Sequence, residues 1–387
     1  MLDFYPNTVD SVIGKYNTNI YNIKFSPNGS KLAVGLQSQE IYLYNAKDPY
    51  PQGNGQVYPN HHDSQFGLKE ITHHQGHNGQ WTMSDLQFMD ENHLANSTLS
   101  PIIEMIHLES SKRTLYIYQR NTGFMSICFA NNCMFGGSKP INRNSFGQVV
   151  VWDTTRQTHM AVVDHGRYDV NAVVSIDNHL IASGGDDSFI KMWDTRLIDN
   201  SSKQKHVGFL AGHTQGITSL DSLSGSFLIS NGKDQKLKLF DLRFIKDAST
   251  KLKRTSEKLY DYRWETYSYD PNLSSNPDDV SILTCLSHSV YTTLIQCHFS
   301  PCGKYIYSGS SDGQIYIWNM LGQVISEFGD EVDSLSGSSE ELYLRNYCHD
   351  PIIRDCAWHP DVPVLFGGVF AYNDKPHSHL LFCNAVK

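Results

Sequence analysis

The sequence predicts an all-β fold that is built from a repeated unit of short strands. The clearest repeat lies between Asp187 and Arg243, where an Asp precedes an aromatic residue by six positions and an Asp-x-Arg triplet follows that aromatic residue. The two copies are Asp187, Trp193, Asp194 and Arg196, then Asp234, Phe240, Asp241 and Arg243, with Gly212-His213 between them. Charged residues make up only 18% of the chain, which suits short strands joined by tight turns. A repeat of about 45 residues made of such strands is typical of a WD-repeat β-propeller.

Composition excludes several classes of protein. A closed repeat fold can use all 387 residues as one domain. The net charge of −9 argues against binding to nucleic acid or to an anionic membrane. Eight cysteines without a Cys-x-x-Cys pair indicate reduced core thiols. No signal peptide opens the sequence, and no apolar run reaches the roughly 18 residues of a membrane span. We expect a protein of the nucleus and cytoplasm that works as a monomer within a larger complex.

Seven units fit the repeat along the chain. Measured on a three-strand template, the blades cover residues 20–45, 80–119, 123–153, 169–194, 216–241, 294–319 and 352–386, with insertions at 46–79, 245–290 and 327–346. The second blade is the least regular, and WTMSDLQF and TLYIYQ fit its first and third strands. In the third blade, Phe146 stands where the repeat has Asp before Trp152. The stretch from Val9 to Tyr16 is expected to supply the outer strand of the last blade, which would remove an exposed sheet edge.

A blade of this type can hold a hydrogen-bonded chain of His, Ser, Asp and the Trp of the third strand, which orders its turns. The candidates are His165, Ser183, Asp187 and Trp193 in the fourth blade, His213, Ser230 and Asp234 in the fifth, and Asp312 and Trp318 in the sixth. Phe240 cannot donate a hydrogen bond and shortens the chain in the fifth blade. A Ser/His/Asp set also suits a hydrolase, but the repeat produces one such set per blade. We predict structural roles and no catalytic residue.

Three other polar stretches could simply be solvated, and two of them could bind a ligand instead. The histidine-rich stretch could bind zinc or copper, or its side chains could simply be solvated, and we predict no metal and no cofactor. This stretch contains His61, His62, Asp63, His73, His74 and His77. The acidic loop with Asp330, Glu331, Asp333, Glu340 and Glu341 is expected to be solvated, and the basic run from Lys251 to Lys258 either binds acidic groups or keeps the insertion soluble.

The insertion at 245–290 also contains Asp261-Tyr262-Arg263-Trp264. Tyr, Trp and Arg are the residue types that anchor protein interfaces, and here they stand inside a polar insertion. The alternative is that these residues only pack the insertion against the fifth blade. Both readings stay open from the sequence.

Blades four to six resemble a particular family, the WD-repeat proteins that serve as DDB- and cullin-four-associated factors. The similar stretches are VNAV, SGGDDSFIKMWDTR, VGFLAGHTQGIT, LISNGKDQKLKLFDLR, DYRW and IYSGSSDG. The DYRW that follows a Trp-Asp-x-Arg unit at this distance is the specific part, because Trp-Asp signatures alone are shared by many unrelated scaffolds.

The resemblance implies a non-catalytic substrate receptor that docks on the DDB adaptor of a cullin-four RING ubiquitin ligase and presents a client protein to it. The docking signature of the family is a Trp-Asp-x-Arg box. Trp193, Asp194 and Arg196 match it fully, and Phe240, Asp241 and Arg243 match it with Phe for Trp. Trp152-Asp153 departs further, with Thr155 in place of the Arg and Arg156 one position late. An Arg in the turn after a strand can bind a partner carboxylate through two hydrogen bonds.

Clients would bind on the opposite rim, because loops on a rigid scaffold carry recognition. The template places Asn19, Thr82, Asp169, Thr293 and Ile352 there, just before the first strands. Two other functions remain open. One is a scaffold subunit of another assembly, in RNA processing, trafficking or cilia. The other is an enzyme such as a hydrolase or a metal-dependent propeller.

Overall fold

The computed structural model of the chain describes residues 5–47, 69–76, 81–118, 122–140, 146–198, 206–250, 261–265, 267, 276–329, 351–370 and 378–384. Strands form most of the regular structure of these residues, and no α-helix occurs among them.

The strands follow one another in short hairpins. The first thirteen are β1 (Thr8–Tyr16), β2 (Ile20–Phe25), β3 (Lys31–Leu36), β4 (Glu40–Asn45), β5 (Lys69–Gln75), β6 (Met83–Phe88), β7 (His93–Thr98), β8 (Ile102–His107), β9 (Lys112–Ile117), β10 (Thr122–Ala130), β11 (Cys133–Pro140), β12 (Gly147–Asp153) and β13 (Thr158–Gly166). The next nine are β14 (Val170–Ser175), β15 (Leu180–Gly185), β16 (Phe189–Asp194), β17 (Gly208–Ala211), β18 (Ile217–Leu223), β19 (Phe227–Gly232), β20 (Lys236–Asp241), β21 (Lys246–Asp247) and β22 (Leu283–Cys285). The last seven are β23 (Cys297–Phe299), β24 (Tyr305–Gly309), β25 (Gln314–Asn319), β26 (Val324–Gly329), β27 (Ile352–Trp358), β28 (Val364–Phe370) and β29 (Ser378–Asn384).

These strands form seven sheets, which are the blades of the propeller. In blade order the sheets are β2-β3-β4-β5, β6-β7-β8-β9, β10-β11-β12-β13, β14-β15-β16-β17-β21, β18-β19-β20-β22, β23-β24-β25-β26 and β1-β29-β28-β27. Neighbouring strands pair antiparallel, as β19 does with both β18 and β20. The predicted all-β, seven-bladed fold is confirmed.

The outer strands are the main difference from the predicted blade boundaries. β5 lies inside the stretch predicted as the insertion 46–79, and β21 and β22 lie inside 245–290. The three-strand template also left out β13, β17 and β26, and β26 extends into the insertion predicted to begin at 327. An outer strand has one exposed edge and a mixed burial pattern, so it lacks the fixed apolar and turn residues by which the inner strands are recognised.

The second blade differs from its prediction in the third strand. Its third strand is β8, with the sequence IIEMIH, and the segment TLYIYQ falls mostly in the fourth strand, β9. β8 has no aromatic-Asp pair at its end, because it finishes at His107. The template therefore matched the next alternating segment instead.

The N-terminal strand pairs as predicted. β1 lies antiparallel to β29, with Val9 opposite Cys383 and Val12 opposite Leu381. It supplies the outer strand of the seventh blade, so β29 has a partner on both sides.

The chain divides into two compact units, Met1–Met83 with Ser300–Lys387, and Ser84–Phe299. Among the described residues, the first unit has apolar clusters around Phe366 and around Trp358. Those of the second unit lie around Trp193, Trp152 and Phe240. Burying one side chain of this size contributes about 1.5–3 kcal/mol, so these aromatic residues stabilise the blades from inside.

Aspartates in the first strands connect neighbouring blades. Asp85 accepts a hydrogen bond from the backbone N–H of Ile127 at 2.9 Å, and Asp221 accepts one from Phe299 at 2.8 Å. In the other unit, Asp355 accepts one from Ile23 at 3.0 Å. Each carboxylate satisfies a backbone N–H that faces the adjacent blade, where an unpaired donor would be costly.

Candidate functional site

Two Asp-x-Arg boxes form identical surface turns after the third strands of blades 4 and 5. Asp194 caps the 3-10 helix Thr195–Leu197, and its carboxylate accepts the backbone N–H of Arg196 at 3.0 Å. The Arg196 side chain folds back on the same carboxylate, with Nε 2.9 Å from Oδ1 and Nη2 2.7 Å from Oδ2. This closed pair, in which an Arg binds the Asp two residues earlier through two hydrogen bonds, is called the Asp-Arg clasp below.

Blade 5 repeats the clasp. Asp241 caps the 3-10 helix Leu242–Phe244, and Arg243 Nε and Nη2 lie 3.0 Å from Oδ1 and 2.5 Å from Oδ2. Hydrogen bonds from the Arg196 side chain lower the pKa of Asp194 to about 2, and those from Arg243 lower the pKa of Asp241. Both carboxylates are therefore ionised at neutral pH, and each arginine is held in one orientation.

The clasp leaves the arginines available to a partner. The side chains of Arg196 and Arg243 are 64% and 82% exposed. Two of the five N–H donors of each guanidinium bind its own Asp, so three remain for another acceptor. The apolar residue after each Arg, Leu197 or Phe244, is also largely exposed. Each turn thus presents an oriented cation beside an apolar side chain.

The aromatic residues of the boxes belong to the core. Trp193 is 2% exposed and Phe240 is fully buried. The prediction that these two residues contact an adaptor is corrected, because neither side chain reaches the surface. They anchor the strand end from which the turn projects.

A third Asp-Arg clasp occurs in the insertion. Arg263 Nε lies 2.7 Å from Asp261 Oδ1, and Nη2 lies 2.6 Å from Oδ2. These hydrogen bonds lower the pKa of Asp261. Trp264 follows the Arg and is 75% exposed. The pattern Asp-x-Arg-apolar therefore appears three times, at 194–197, 241–244 and 261–264, with the same side-chain geometry.

The third clasp lies at the other end of blade 5. In the β19–β20 hairpin, Asp241 pairs with Phe227 at one end and Gly232 pairs with Lys236 at the other. Lys233 belongs to the second end, and its Nζ lies 4.6 Å from the centre of the Tyr262 ring. The Tyr262 carbonyl accepts the N–H of Thr292 at 2.9 Å. Tyr262 thus packs on the blade, as one of the two readings of the DYRW segment predicts, while Trp264 faces solvent, and its role as an interface anchor stays a prediction.

The clasps of blades 4 and 5 lie at the same end of their blades. Ser222, near the end of β18, donates to the carbonyl of Ser175, the last residue of β14, at 2.6 Å. The first strands of the two blades therefore run side by side with their ends aligned. Arg196 and Arg243, which follow the third strands, project from one surface of this unit.

The third blade has no clasp. Asp153 accepts the backbone N–H groups of Thr155 and Arg156, each at 2.8 Å. Arg156 Nε lies 3.8 Å from Asp153 Oδ2, and the side chain is 81% exposed. Gln157 closes this tight turn with a φ of 57°. The Arg one position late therefore follows a different turn, which agrees with its departure from the sequence pattern.

The polar chain of blade 4 joins four side chains. His165 Nδ1 lies 2.9 Å from Ser183 Oγ, and Trp193 Nε1 donates to the same Oγ at 2.7 Å. Asp187 lies 3.4 Å from His165 Nε2 and accepts from Lys191 Nζ at 2.6 Å.

Blade 5 has a shorter chain. His213 lies 2.8 Å from Asp234 Oδ1 and 2.6 Å from Ser230 Oγ. All of these groups are buried, and each forms part of its own blade, which favours a structural role.

Blade 6 uses a different arrangement. Asp312 is exposed and accepts from the Tyr316 hydroxyl at 2.9 Å. Trp318 is buried and stacks on Tyr316 with 5.8 Å between ring centres. Gly309 to Gly313 has the spacing Gly-x-Ser-x-Gly, but it forms the hairpin between β24 and β25 rather than the strand-to-helix elbow of a hydrolase.

Comparison with known proteins agrees with the WD-repeat fold. A family model described as "WD domain, G-beta repeat" matches residues 157–194, 204–241 and 279–319. The LEC14B homolog of Prunus armeniaca is 30% identical over 381 residues, which cover 89% of this chain and 69% of that protein. The chain belongs to the LEC14B family of WD-repeat proteins.

Two further relatives of this WD-repeat protein differ in coverage. The LEC14B protein of Lithospermum erythrorhizon is 29% identical over 385 residues, or 93% of this chain and 72% of that protein. The DDB1- and CUL4-associated factor 11 homolog of Caenorhabditis elegans is 32% identical over 215 residues, or 53% of this chain and 34% of that protein. Homology to the nematode protein agrees with the resemblance to the DDB- and cullin-four-associated factors.

The predicted client rim of this WD-repeat protein is largely buried. Asn19, Thr293 and Ile352 are 6%, 7% and 3% exposed, and Ile352 is already part of β27. Thr82 is half-buried, and Asp169 is half-buried with its carboxylate 3.6 Å from Lys139 Nζ. Asn19, Thr293 and Ile352 are therefore corrected from client contacts to packing residues, because the strand entries pack against neighbouring turns, as where Gln37 donates to the Asn19 carbonyl.

Several candidate residues lie outside the described residues, namely His61, His62, Asp63, His77, the run from Lys251 to Lys258, and Asp330, Glu331, Asp333, Glu340 and Glu341. His73 and His74 are in β5, where His73 stacks on Tyr42 at 4.5 Å and His74 is buried. Within the described part of the chain, no group of three or more His, Cys, Asp or Glu side chains could hold a metal ion. No described helix is long and apolar enough to cross a membrane.

We expect the free energy of unfolding to fall as the pH is lowered from 7.5 to 5.5. Burial lowers the pKa of His165 despite the nearby Asp187. In the unfolded chain His165 takes up a proton near the ordinary histidine pKa of about 6.5, whereas in the folded chain it stays neutral at that pH. The unfolded state therefore binds more protons, and the free energy of unfolding present above this pH is lost below it. The slope is at most about 1.4 kcal/mol per pH unit for one group. Urea unfolding at pH 7.5, 6.5 and 5.5 measures it.

A matched pair of variants isolates His165. His165→Gln should flatten the slope of the free energy of unfolding against pH, whereas Asn178→Ala, at an exposed side chain that does not titrate, should leave it unchanged. Some slope should remain in His165→Gln, because burial also lowers the pKa of His359. Equal slopes in the native chain and His165→Gln would contradict the assignment.

Proposed function

We propose that this protein is a non-catalytic substrate receptor of a cullin-four ubiquitin ligase, which docks on the DDB1 adaptor through the clasps of Arg196 and Arg243. The carrying observation is the pair of identical Asp-Arg clasps at one end of blades 4 and 5, each with an exposed apolar neighbour. The name of the nematode relative states an association with DDB1 and CUL4, and its similarity supports the proposal.

The mechanism is positioning. In each clasp the Asp holds the guanidinium of its Arg in one orientation before the partner binds, so little side-chain entropy is lost on binding. The three remaining N–H donors suit a carboxylate on the adaptor, and Leu197 and Phe244 add apolar contact beside it. The ligase supplies the transfer chemistry, while the rigid blades hold the client at a fixed place.

The client is proposed to bind at the other end of blade 5, around Asp261–Trp264. Trp264 and Arg263 are exposed, and Tyr262 and the clasp hold the segment in place. Exposed Trp and Arg on a supported loop are the residue types that carry most interface energy. Adaptor and client would then occupy opposite ends of the same strands.

Binding of the purified chain to DDB1 tests the proposal. We expect Arg196→Ala with Arg243→Ala to weaken binding at least tenfold, which corresponds to about 1.4 kcal/mol. Arg263→Ala is the matched control, because it breaks the same clasp at the other end and should change DDB1 affinity less than about twofold. An unchanged urea midpoint in each variant shows that the fold is intact. Equal DDB1 binding by the native chain and the double variant would overturn the docking role.

One observation favours a second function. The LEC14B relatives cover more of the chain than the nematode protein, and their names state no association with an adaptor. A WD-repeat scaffold of another assembly would use the same clasps for a different protein. Loss of other co-purifying proteins from the double variant, without any DDB1, would support this function. For either function we propose action in the nucleus and cytoplasm, which fits free thiols at the seven described cysteines.

A further inference from the structure

A cavity of about 360 Å³ opens on blade 2, beside the turn that follows β12. Blade 2 is the blade that fits the repeat least, and it contains none of the three Asp-Arg clasps. Thr154 and Gln157, from the tight turn after Asp153, line one side of the cavity. The cavity is therefore separate from the residues of the proposed docking function.

The floor of the cavity is apolar. Met89, Met105 and Tyr116 line it, and Met105 and Tyr116 are 6% and 2% exposed. The Tyr116 hydroxyl donates to the carbonyl of Thr154 at 3.4 Å, so its polar atom is already engaged. Methionine side chains adapt to irregular apolar groups, because their three torsions are flexible and the thioether is polarisable. An apolar ligand group of variable shape suits such a floor.

The rim carries a row of nitrogen donors across three strands. His93 lies directly opposite His107, and His107 lies directly opposite Lys112, so the three residues form one rung of the sheet. The two imidazole rings meet edge to face with 4.9 Å between centres. All three residues line the cavity. The rung therefore brings two imidazoles and one ammonium group together over the apolar floor.

The neighbours of the histidines decide which nitrogens carry protons. The backbone N–H of Ser110 donates to His107 Nδ1 at 3.2 Å, so Nδ1 is an acceptor and the neutral ring has its proton on Nε2. His93 Nδ1 lies 2.9 Å from Asp90 Oδ2. Although burial raises the pKa of Asp90, N–H donors of Asn92 and His93 outweigh burial and lower it, so the carboxylate is ionised and accepts the proton of Nδ1. His107 Nε2 and the Lys112 ammonium remain as donors, and no ion pair of Lys112 occurs among the described residues.

We propose that this cavity binds an apolar group that carries a carboxylate. The apolar part would contact Met89, Met105 and Tyr116, and the carboxylate would accept from Lys112 and His107. A volume of about 360 Å³ is near the lower end of ligand sites, which span roughly 300–1,000 Å³, so one large side chain fits better than a nucleotide or a drug-sized molecule. The C-terminal residue of a polypeptide and a small organic acid share this chemistry.

Calorimetry on the full chain with N-acetyl-leucine and its uncharged amide tests the charge. We expect the acid to bind with an affinity in the millimolar range and the amide to bind at least about fivefold more weakly, because only the acid pairs with Lys112. Lys112→Gln should abolish the difference between acid and amide. Lys47→Gln, which removes an exposed positive charge from blade 1, is the matched control and should keep the difference. Equal binding of acid and amide by the native chain, or binding of neither at about 10 mM, would overturn the proposal.

Filling the cavity tests the location. Thr114→Trp places a large ring at a half-buried lining position and should abolish binding of the acid, while the urea midpoint shows that the chain remains folded. Retained binding in this variant would contradict the assignment to the cavity. A hexapeptide ending in a free Leu carboxylate separates the two sources, since tighter binding than N-acetyl-leucine supports a polypeptide C-terminus and weaker binding supports a small acid. Arg196→Ala with Arg243→Ala should leave acid binding unchanged, so the outcome is independent of the DDB1 result.

Discussion

Asp234→Ala is expected to lower the free energy of unfolding by about 3–5 kcal/mol. The carboxylate is 1% exposed and binds His213 at 2.8 Å and the backbone N–H of Thr214 at 3.0 Å. Removing it leaves an imidazole and a backbone N–H group buried without this acceptor, which costs their desolvation free energy. Urea unfolding at pH 7.5, followed by tryptophan fluorescence and circular dichroism, measures the loss.

Asp312→Ala is the matched control, because Asp312 holds the same place in the repeat of blade 6. It is exposed and bonds the Tyr316 hydroxyl at the surface, so its removal should cost less than about 1 kcal/mol. Similar losses in the two variants would mean that burial of the acceptor does not set the cost. A loss below about 1 kcal/mol for Asp234→Ala would contradict the structural role of the blade 5 chain.

The contrast between these two aspartates shows how far the sequence predicts the fold. Both stand six residues before an aromatic residue, and that spacing correctly predicted blades 5 and 6. The spacing alone does not show which Asp is buried, because burial goes with a histidine from an earlier segment of the chain, which the sequence indicates for blade 5 but not for blade 6. In blade 5 that histidine is His213, 21 residues before Asp234. In blade 6 the bond comes from Tyr316, four residues after Asp312.

The candidate docking residues show a similar division. The sequence identified Asp194, Arg196, Asp241 and Arg243, since the Asp-x-Arg spacing is visible in one line. It could not show that each Arg binds its own Asp, because that depends on the 3-10 turn after the strand. The same spacing in Asp261-Tyr262-Arg263 could have revealed the third clasp. The cavity of blade 2 has no sequence signal, since its histidines and lysine come from three strands whose register only the sheet defines.

Removal of residues 1–15 is expected to lower the free energy of unfolding by about 3 kcal/mol or more and to promote aggregation. β1 covers β29, which otherwise ends the seventh sheet, and Val9 and Val12 pack on the cluster around Trp358. A fully buried Val contributes about 1.5–3 kcal/mol, so the partly buried Val9 and Val12 supply part of the loss and the backbone ladder to β29 supplies the rest, while the exposed edge would template pairing between chains. Tyr16 stays in the shortened chain, because its hydroxyl lies 2.7 Å from that of Tyr44 in the neighbouring cluster.

Adding the missing strand as a peptide shows whether the shortened chain is unstable because β29 has lost its partner or because truncation damages the fold in general. A synthetic peptide of residues 5–15 should bind the shortened chain by adding a strand to β29 and should restore most of the urea midpoint in proportion to its concentration. A peptide of the same composition in scrambled order is the matched control, because its side chains no longer alternate with the register of Val9 opposite Cys383 and Val12 opposite Leu381. Equal rescue by both peptides would show that the register does not matter, and an unchanged midpoint after truncation would show that β1 does not stabilise the blade. Rescue by the native peptide only would mean that the seventh blade needs no covalent link to its outer strand, since the peptide restores the backbone ladder and the apolar contacts of β1 without being part of the chain.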